Sequence, residues 1–120
     1  MSFKTIFPAG YNVENEMNDN IDINIVMENG DVYFGTFFTI QNVQHLLDKD
    51  EERCFWAKDM LIVKDLSKKT IREAVARTIK DAYTEMVFTK IGRIETKFRN
   101  MSFDDIPDMA NGYELDLADD

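Results

Sequence analysis

The chain is expected to adopt an α+β fold: a mainly antiparallel sheet of four or five strands, in the order β-β-α-β-α-β, with one long helix packed on a face. Three observations predict it. Apolar residues alternate along NIDINIVM, which places Ile21, Ile23 and Ile25 opposite Asp22 and Asn24, the period of a half-buried strand. Asn29-Gly30 follows at once, and both residues tolerate the positive φ that a two-residue hairpin turn needs, so Ile25–Glu28 should fold back on Asp31–Phe34. From Ser67 onward, Ile71, Val75, Ile79, Ala82 and Met86 recur at helical spacing, ahead of a glycine at position 92.

The other elements follow the same reasoning. FKTIF is compatible with an extra N-terminal strand, ended by Pro8 and Gly10. In the second hairpin strand Val32, Phe34, Thr36 and Phe38 share one face, and Tyr33, Gly35 and Phe37 the other. A glycine inside a strand marks a bulge or a close backbone approach. Thr39 is placed to cap a short helix whose apolar positions are Ile40, Val43, Leu46 and Leu47. CFWAKDMLIV reads as a third strand; its continuously apolar end, Met60–Val63, suggests burial on both faces and a central position. Ser67, or Thr70 with Glu73 as a capping box, opens the long helix. Lys69, Glu73, Arg77 and Asp81 alternate in sign at i,i+4 steps, which suits its solvated face. Gly92 is read as the helix stop, RIETKFR as a last strand and SFDDIPDM as a single helical turn.

At 120 residues and 44% apolar composition the sequence describes a single domain able to bury about two-thirds of its unfolded surface. The net charge is −9, and it is unevenly placed. Residues 5–48 hold seven acids and no base, and residues 100–120 again seven acids and no base, whereas residues 49–99 hold thirteen bases and nine acids. The acidic end, 104–120, is expected to be a loose tail. Direct nucleic-acid binding is not expected, because phosphate contacts need clustered Lys and Arg. A basic protein is the natural partner for acidic flanks. The candidate partner-binding residues are Glu14, Glu16, Asp19, Asp22, Asp31, Asp104, Asp105 and Asp108.

Catalytic and cofactor chemistry finds little footing. Phosphate-gripping loops place glycines at a helix N-terminus, and neither Gly30 nor Gly35 opens a helix. His45 is the only histidine; with Asp48 and Glu52 on one helix edge it would leave a metal incompletely ligated, so a surface role is expected. Asn18, Asn20 and Asp22 mimic the start of a calcium loop, but Ile23 stands where glycine is required and Asn29 where a bidentate Glu is. Cys54 is the only cysteine, so no internal disulfide forms, and its neighbours suggest an apolar strand residue. Trp56 is read as core, with a partner anchor as the alternative. No catalytic residue, metal or cofactor is assigned, and neither a membrane span nor a secretory signal is read, which makes the cytoplasm the expected location.

ENGDVYFGTFFTIQNVQHLL and FWAKDMLIVKDLSKKTIREAV give the chain, over residues 22–90, a pattern that resembles small bacterial immunity-type proteins, the partners of secreted or contact-delivered toxins. The resemblance implies a non-enzymatic protein that binds a cognate toxin domain, often a basic nuclease, and blocks its active site. Its motifs hold no catalytic signature, so they carry over no functional residue. The other reading is a small ligand-binding or regulatory module on an open sheet face, for which Tyr33, Phe37 and Trp56 would line an apolar pocket.

Overall fold

The computed structural model describes residues 2–12, 17–96 and 101–118. They form an α+β fold in which one seven-stranded sheet carries every strand. In chain order the elements are β1 (Phe3–Phe7), β2 (Asn20–Met27), β3 (Asp31–Thr39), α1 (Ile40–Lys49), β4 (Met60–Val63), α2 (Lys68–Lys80), α3 (Thr84–Val87), β5 (Thr89–Ile94), β6 (Ala110–Asn111) and β7 (Leu117–Ala118). A 3-10 turn spans Phe103–Asp105.

The sheet is mixed rather than mainly antiparallel, and larger than the four or five strands expected. Its order is β6-β1-β2-β3-β5-β7, with β4 also on β3. The β1–β6 and β3–β4 pairings are parallel, the other four antiparallel. The long strand β3 makes this possible. Residues 31–34 of β3 pair with β5 and residues 36–39 of the same edge with β4, so two short strands meet end to end along one side of it. The junction is tied by Asp59, whose carboxylate accepts the Thr89 hydroxyl proton and whose carbonyl accepts the Thr36 N–H at 2.9 Å.

Both faces of the sheet are used. On one face Phe3, Phe7, Ile23, Ile25, Met27, Tyr33 and Phe37 meet Ile71 and Val75 of α2 and Phe88. On the other, Ile6, Val26, Val32 and Ile94 are covered by Ile106 and its neighbours Met101, Phe103, Tyr113 and Leu115. Strand alternation sends neighbouring residues of one strand to opposite clusters, as with Ile25 and Val26.

The hairpin forms where the sequence places it, with a different turn. Gly30 N–H donates to the Met27 carbonyl at 2.9 Å, and Val26 stands opposite Val32. The loop is therefore three residues long, with only Gly30 of the Asn-Gly pair at positive φ (95°). Asn29 instead uses its side chain, which accepts the Asp31 N–H at 3.0 Å. Gly35 marks a close approach: a Cβ built there would lie 2.4 Å from Cδ1 of the buried Phe88 ring. The bulge lies on β5, where Ile91 is the extra residue between Lys90, opposite Tyr33, and Gly92, opposite Val32. Thr39 caps α1 as expected, accepting the Asn42 N–H at 3.1 Å. The expected apolar stripe of α1 is only half covered: Val43, Leu46 and Leu47 are intermediate, Ile40 is 70% exposed, and the one buried residue is Asn42.

Two strong expectations fail for physical reasons. The apolar run Met60–Val63 is not central and not buried on both faces. It is a four-residue edge strand whose Val63 reaches the core while Ile62 is 48% exposed. Cys54–Ala57 lie outside any strand; Cys54 is exposed and Trp56 is 80% exposed rather than core. The long helix is also not continuous. Ser67 caps it, accepting the Thr70 N–H at 3.2 Å, but α2 ends at Lys80. Ala82 takes φ 59°, its N–H donates to the Ile79 carbonyl at 3.1 Å, and the Tyr83 N–H reaches back to the Thr78 carbonyl at 2.8 Å. This is a Schellman stop with alanine where glycine is usual, so no glycine announces it. Ala82 and Met86, expected in the buried stripe, are exposed, and Gly92, expected as the helix stop, lies inside β5.

The acidic segment expected to be a loose tail contributes β6 and β7, and residues 101–115 pack on the second face of the sheet.

Two substitutions check this account. Ala82→Gly should raise stability by about 1 kcal/mol in urea unfolding, because it relieves a left-handed alanine. Gly35→Ala should cost about 1–3 kcal/mol through overpacking against Phe88, and combining it with Phe88→Leu should recover part of that loss.

Candidate functional site

The C-terminal segment defines the site by what it covers and what it leaves open. Beyond β1 the chain returns alongside that strand. The Met109 N–H donates to the Thr5 carbonyl at 2.7 Å and the Gly112 N–H to the Phe7 carbonyl at 2.8 Å. Between them the Asp108 carboxylate accepts the Thr5 N–H at 2.9 Å, the Thr5 hydroxyl at 3.2 Å and the Arg72 Nε–H at 2.7 Å. The Arg72 guanidinium also lies over the Phe3 ring, 4.3 Å from its centroid. Lys68 on the same helix donates to the Met109 carbonyl at 2.7 Å. At the hairpin end, Lys4 donates to the Phe103 carbonyl and sits over its ring.

The segment covers the β1, β2, β3 and β5 residues nearest the hairpin and leaves the far half of that face open. There, Asp22 and Asn24 of β2 and Phe34 of β3 floor a groove of about 390 Å³, walled by Pro8 and Ala9 on one flank and by Tyr113 and Glu114. Asp22 and Glu114 are exposed, and Asp22 accepts the Thr36 hydroxyl at 2.9 Å. The same face continues along β3 to Phe38, whose ring lies edge-on to Phe55 at 5.2 Å. Trp56 follows Phe55 in the exposed loop before β4. Two exposed carboxylates therefore flank a half-buried Phe34 in the groove, while Phe38 further along β3 is buried beneath the loop that carries Phe55.

The sequence-based candidates do not form one surface. Glu14 and Glu16 lie outside the described residues. Asp22 is in the groove, and exposed Asp19 precedes β2 beside the Asn18–Asn42 contact near α1. Asp31, Asp104 and Asp105 lie at the hairpin end, about 20 Å from Asp22 at the usual strand rise. Asp31 is already engaged by Lys90 at 3.3 Å and Arg93 at 3.2 Å, and Asp105 accepts the Ser102 hydroxyl at 2.7 Å. Asp108 is a structural anchor rather than a free recognition group. Glu114 is the residue that composition and periodicity failed to single out, and Trp56, read as core with a partner anchor as the alternative, is exposed. Glu114 reaches the groove only through the return of the tail, and Trp56 sits in an apolar run that reads as core.

The residues examined for other chemistry stay apart. Tyr33 and Phe37 are buried on the helix face while Trp56 projects into solvent, so the three do not share a pocket. Burial, with Glu85 and Asp31 nearby, pushes the Tyr33 phenol up from its ordinary value. His45 is exposed on α1 beside Gln44 and Asp48, and no cluster of three His, Cys, Asp or Glu placed to hold a metal occurs among the described residues. No helix among them is long and apolar enough to cross a membrane. Comparison with protein-family models, with curated proteins and with solved structures finds no match.

Burial alone would raise the Asp108 pKa, but the Thr5 N–H, the Arg72 guanidinium and the Thr5 hydroxyl outweigh it and hold the carboxyl below its ordinary value. A depressed carboxylate stabilises the fold fully above the unfolded pKa, near ~3.9, and loses that contribution as pH falls through the lower folded value. Asp108→Ala should therefore cost about 1–3 kcal/mol at neutral pH by leaving Arg72 and the Thr5 N–H unpaired. The gap to the wild-type chain should narrow below about pH 4, as urea unfolding across a pH series would show.

Proposed function

We propose that the chain is a non-enzymatic recognition protein of the immunity type, which binds a basic toxin domain in the cytoplasm and occludes its active site. The observation that carries this reading is the open sheet face, where two exposed carboxylates, Asp22 and Glu114, line a groove, together with an exposed Trp56 in the loop before β4. Carboxylates at the rim draw in a cationic surface and speed encounter, and the chain's net charge of −9 extends that attraction. An exposed tryptophan offers a large apolar anchor, and such residues dominate binding energy in protein interfaces. A basic nuclease domain meets both demands, since its phosphate-binding cleft presents the complementary charge. The resemblance of residues 22–90 to immunity-type proteins supports the same reading.

The pairing separates two kinetic roles. Titration calorimetry and surface-binding kinetics against a basic nuclease toxin domain from the source organism should show tight association that weakens as salt rises. Asp22→Asn with Glu114→Gln should slow association and flatten the salt dependence. Trp56→Ala should speed dissociation by roughly 30-fold or more while leaving folding stability within about 0.5 kcal/mol. Retention of the toxin's activity in the presence of the chain, or binding indifferent to both salt and Trp56, would overturn the proposal.

A further inference from the structure

β4 ends the sheet on one side, and among the described residues it pairs with β3 alone. Because the Asp59 carbonyl accepts the Thr36 N–H, strand alternation turns the backbone groups of Leu61 toward β3 and those of Met60 and Ile62 outward. Those outward groups meet no other strand. Edges of this kind are commonly protected by Lys, Pro or a bulge, and Met60–Val63 contains none of them. Ile62 is 48% exposed and stands beside Phe38, which packs on Phe55. A strand edge with no second strand beside it among the described residues and an apolar rim coincide here.

A second copy of the chain fits this edge poorly. Opposed residues in an antiparallel pair must both turn their hydrogen-bonding groups inward or both outward. A two-fold pairing of β4 with itself must therefore centre on a residue. Only Met60–Val63 is extended, and Asp59 takes φ 60° in the turn that precedes it. Centred on Leu61, the pairing brings Lys58 of one copy toward Lys64 of the other at the ends of the ladder; centred on Ile62, it brings Asp59 toward Asp65. Centred on Met60, it would need the Lys58–Asp59 turn as a paired strand. The first two bring like charges together, which is unfavourable, and each copy carries a net charge of −9.

The charges at the two ends of the strand indicate a different occupant. Asp59 is engaged by the Thr89 hydroxyl, and Asp65 accepts the Ser67 N–H at 3.0 Å. Lys58 and Lys64 are exposed and neither comes within ion-pair contact of a carboxylate among the described residues, although the Ser67 and Thr70 side chains, with Lys64 nearby, hold the Asp65 carboxyl below its ordinary value. We infer that the β4 edge accepts an extended segment of another protein, apolar at its centre and acidic at its ends, as an added strand. Main-chain hydrogen bonds to Met60 and Ile62 supply the pairing, and Lys58 and Lys64 select the carboxylates that flank it. This site lies apart from the Asp22–Glu114 groove and does not rest on the toxin-inhibitor reading.

Nuclear magnetic resonance of the ¹⁵N-labelled full chain tests it with two capped peptides at millimolar concentration, Glu-Thr-Val-Thr-Val-Thr-Glu and Lys-Thr-Val-Thr-Val-Thr-Lys, which place Val opposite Met60 and Ile62 and the end charges beside Lys58 and Lys64. The acidic peptide should shift the Met60 and Ile62 amides and slow their hydrogen exchange, and the lysine peptide should bind roughly tenfold more weakly. Ile62→Pro should abolish the effect while sparing the β3–β4 ladder, which does not use the Ile62 N–H. Ile62→Glu, which places no constraint on the backbone, should weaken binding of the acidic peptide in the same direction. Failure of both peptides to shift these amides, equal binding of the two, or a dimer in sedimentation that Ile62→Glu dissolves would overturn the inference. None of those results bears on toxin binding at the acidic groove.

Discussion

The Asp108 carboxylate joins three parts of the chain that are far apart in sequence: β1 through Thr5, α2 through Arg72, and the C-terminal segment that it belongs to. An edge strand leaves backbone donors and acceptors that must find partners. At β1 those partners come from a side chain and from the Met109 and Gly112 amides, with β6 adding only two residues of regular pairing. Once the segment is held there, Ile106 is placed over Ile6, Val26, Val32 and Ile94, and the second face of the sheet gains a core of its own. The same anchor places Tyr113 and Glu114 at the margin of the groove.

The two borders of the sheet consequently differ. At β1 the border is closed by a carboxylate, two amides and a short parallel strand. At β3 the border is shared by β5 and β4, and β4 is left with an outward edge. The exposed aromatic loop and the open groove lie on the second face between these borders, where the tail stops covering the sheet. A chain with this layout has its rigid core under α2 and its accessible chemistry on the opposite side. Of the exposed residues there, Asp22 is held by β2, whereas Glu114 lies in the connection between β6 and β7 and Trp56 in the loop before β4.

Much of the architecture was legible in local pattern. The alternation of Ile21, Ile23 and Ile25, the Asn-Gly signal, the Thr39 cap and the break at Gly35 are each decided within a few residues, and each is found where it was read. The errors share one cause: the deciding partner is remote. A run such as MLIV has the same composition whether it is central or at an edge, because a four-residue strand can bury one face and leave the other half open. The end of α2 depends on a left-handed alanine tolerated by a capping motif, which composition does not announce. The candidate site was less legible still. Acidic residues near one another in sequence were separated by the hairpin, and three of them, Asp31, Asp105 and Asp108, were drawn into internal contacts.

The sequence alone determined that the chain folds as α+β, that its acids lie in two flanks around a basic middle, and that its glycines open no phosphate-binding helix. Those properties depend on residue type and near-neighbour spacing. Only the tertiary structure decided which carboxylates remain exposed, that Trp56 faces solvent, and which sheet border is closed. The closed border depends on where a segment about a hundred residues away in sequence comes to rest, and the other two outcomes depend on which neighbours each side chain meets in space, which chain order alone does not specify.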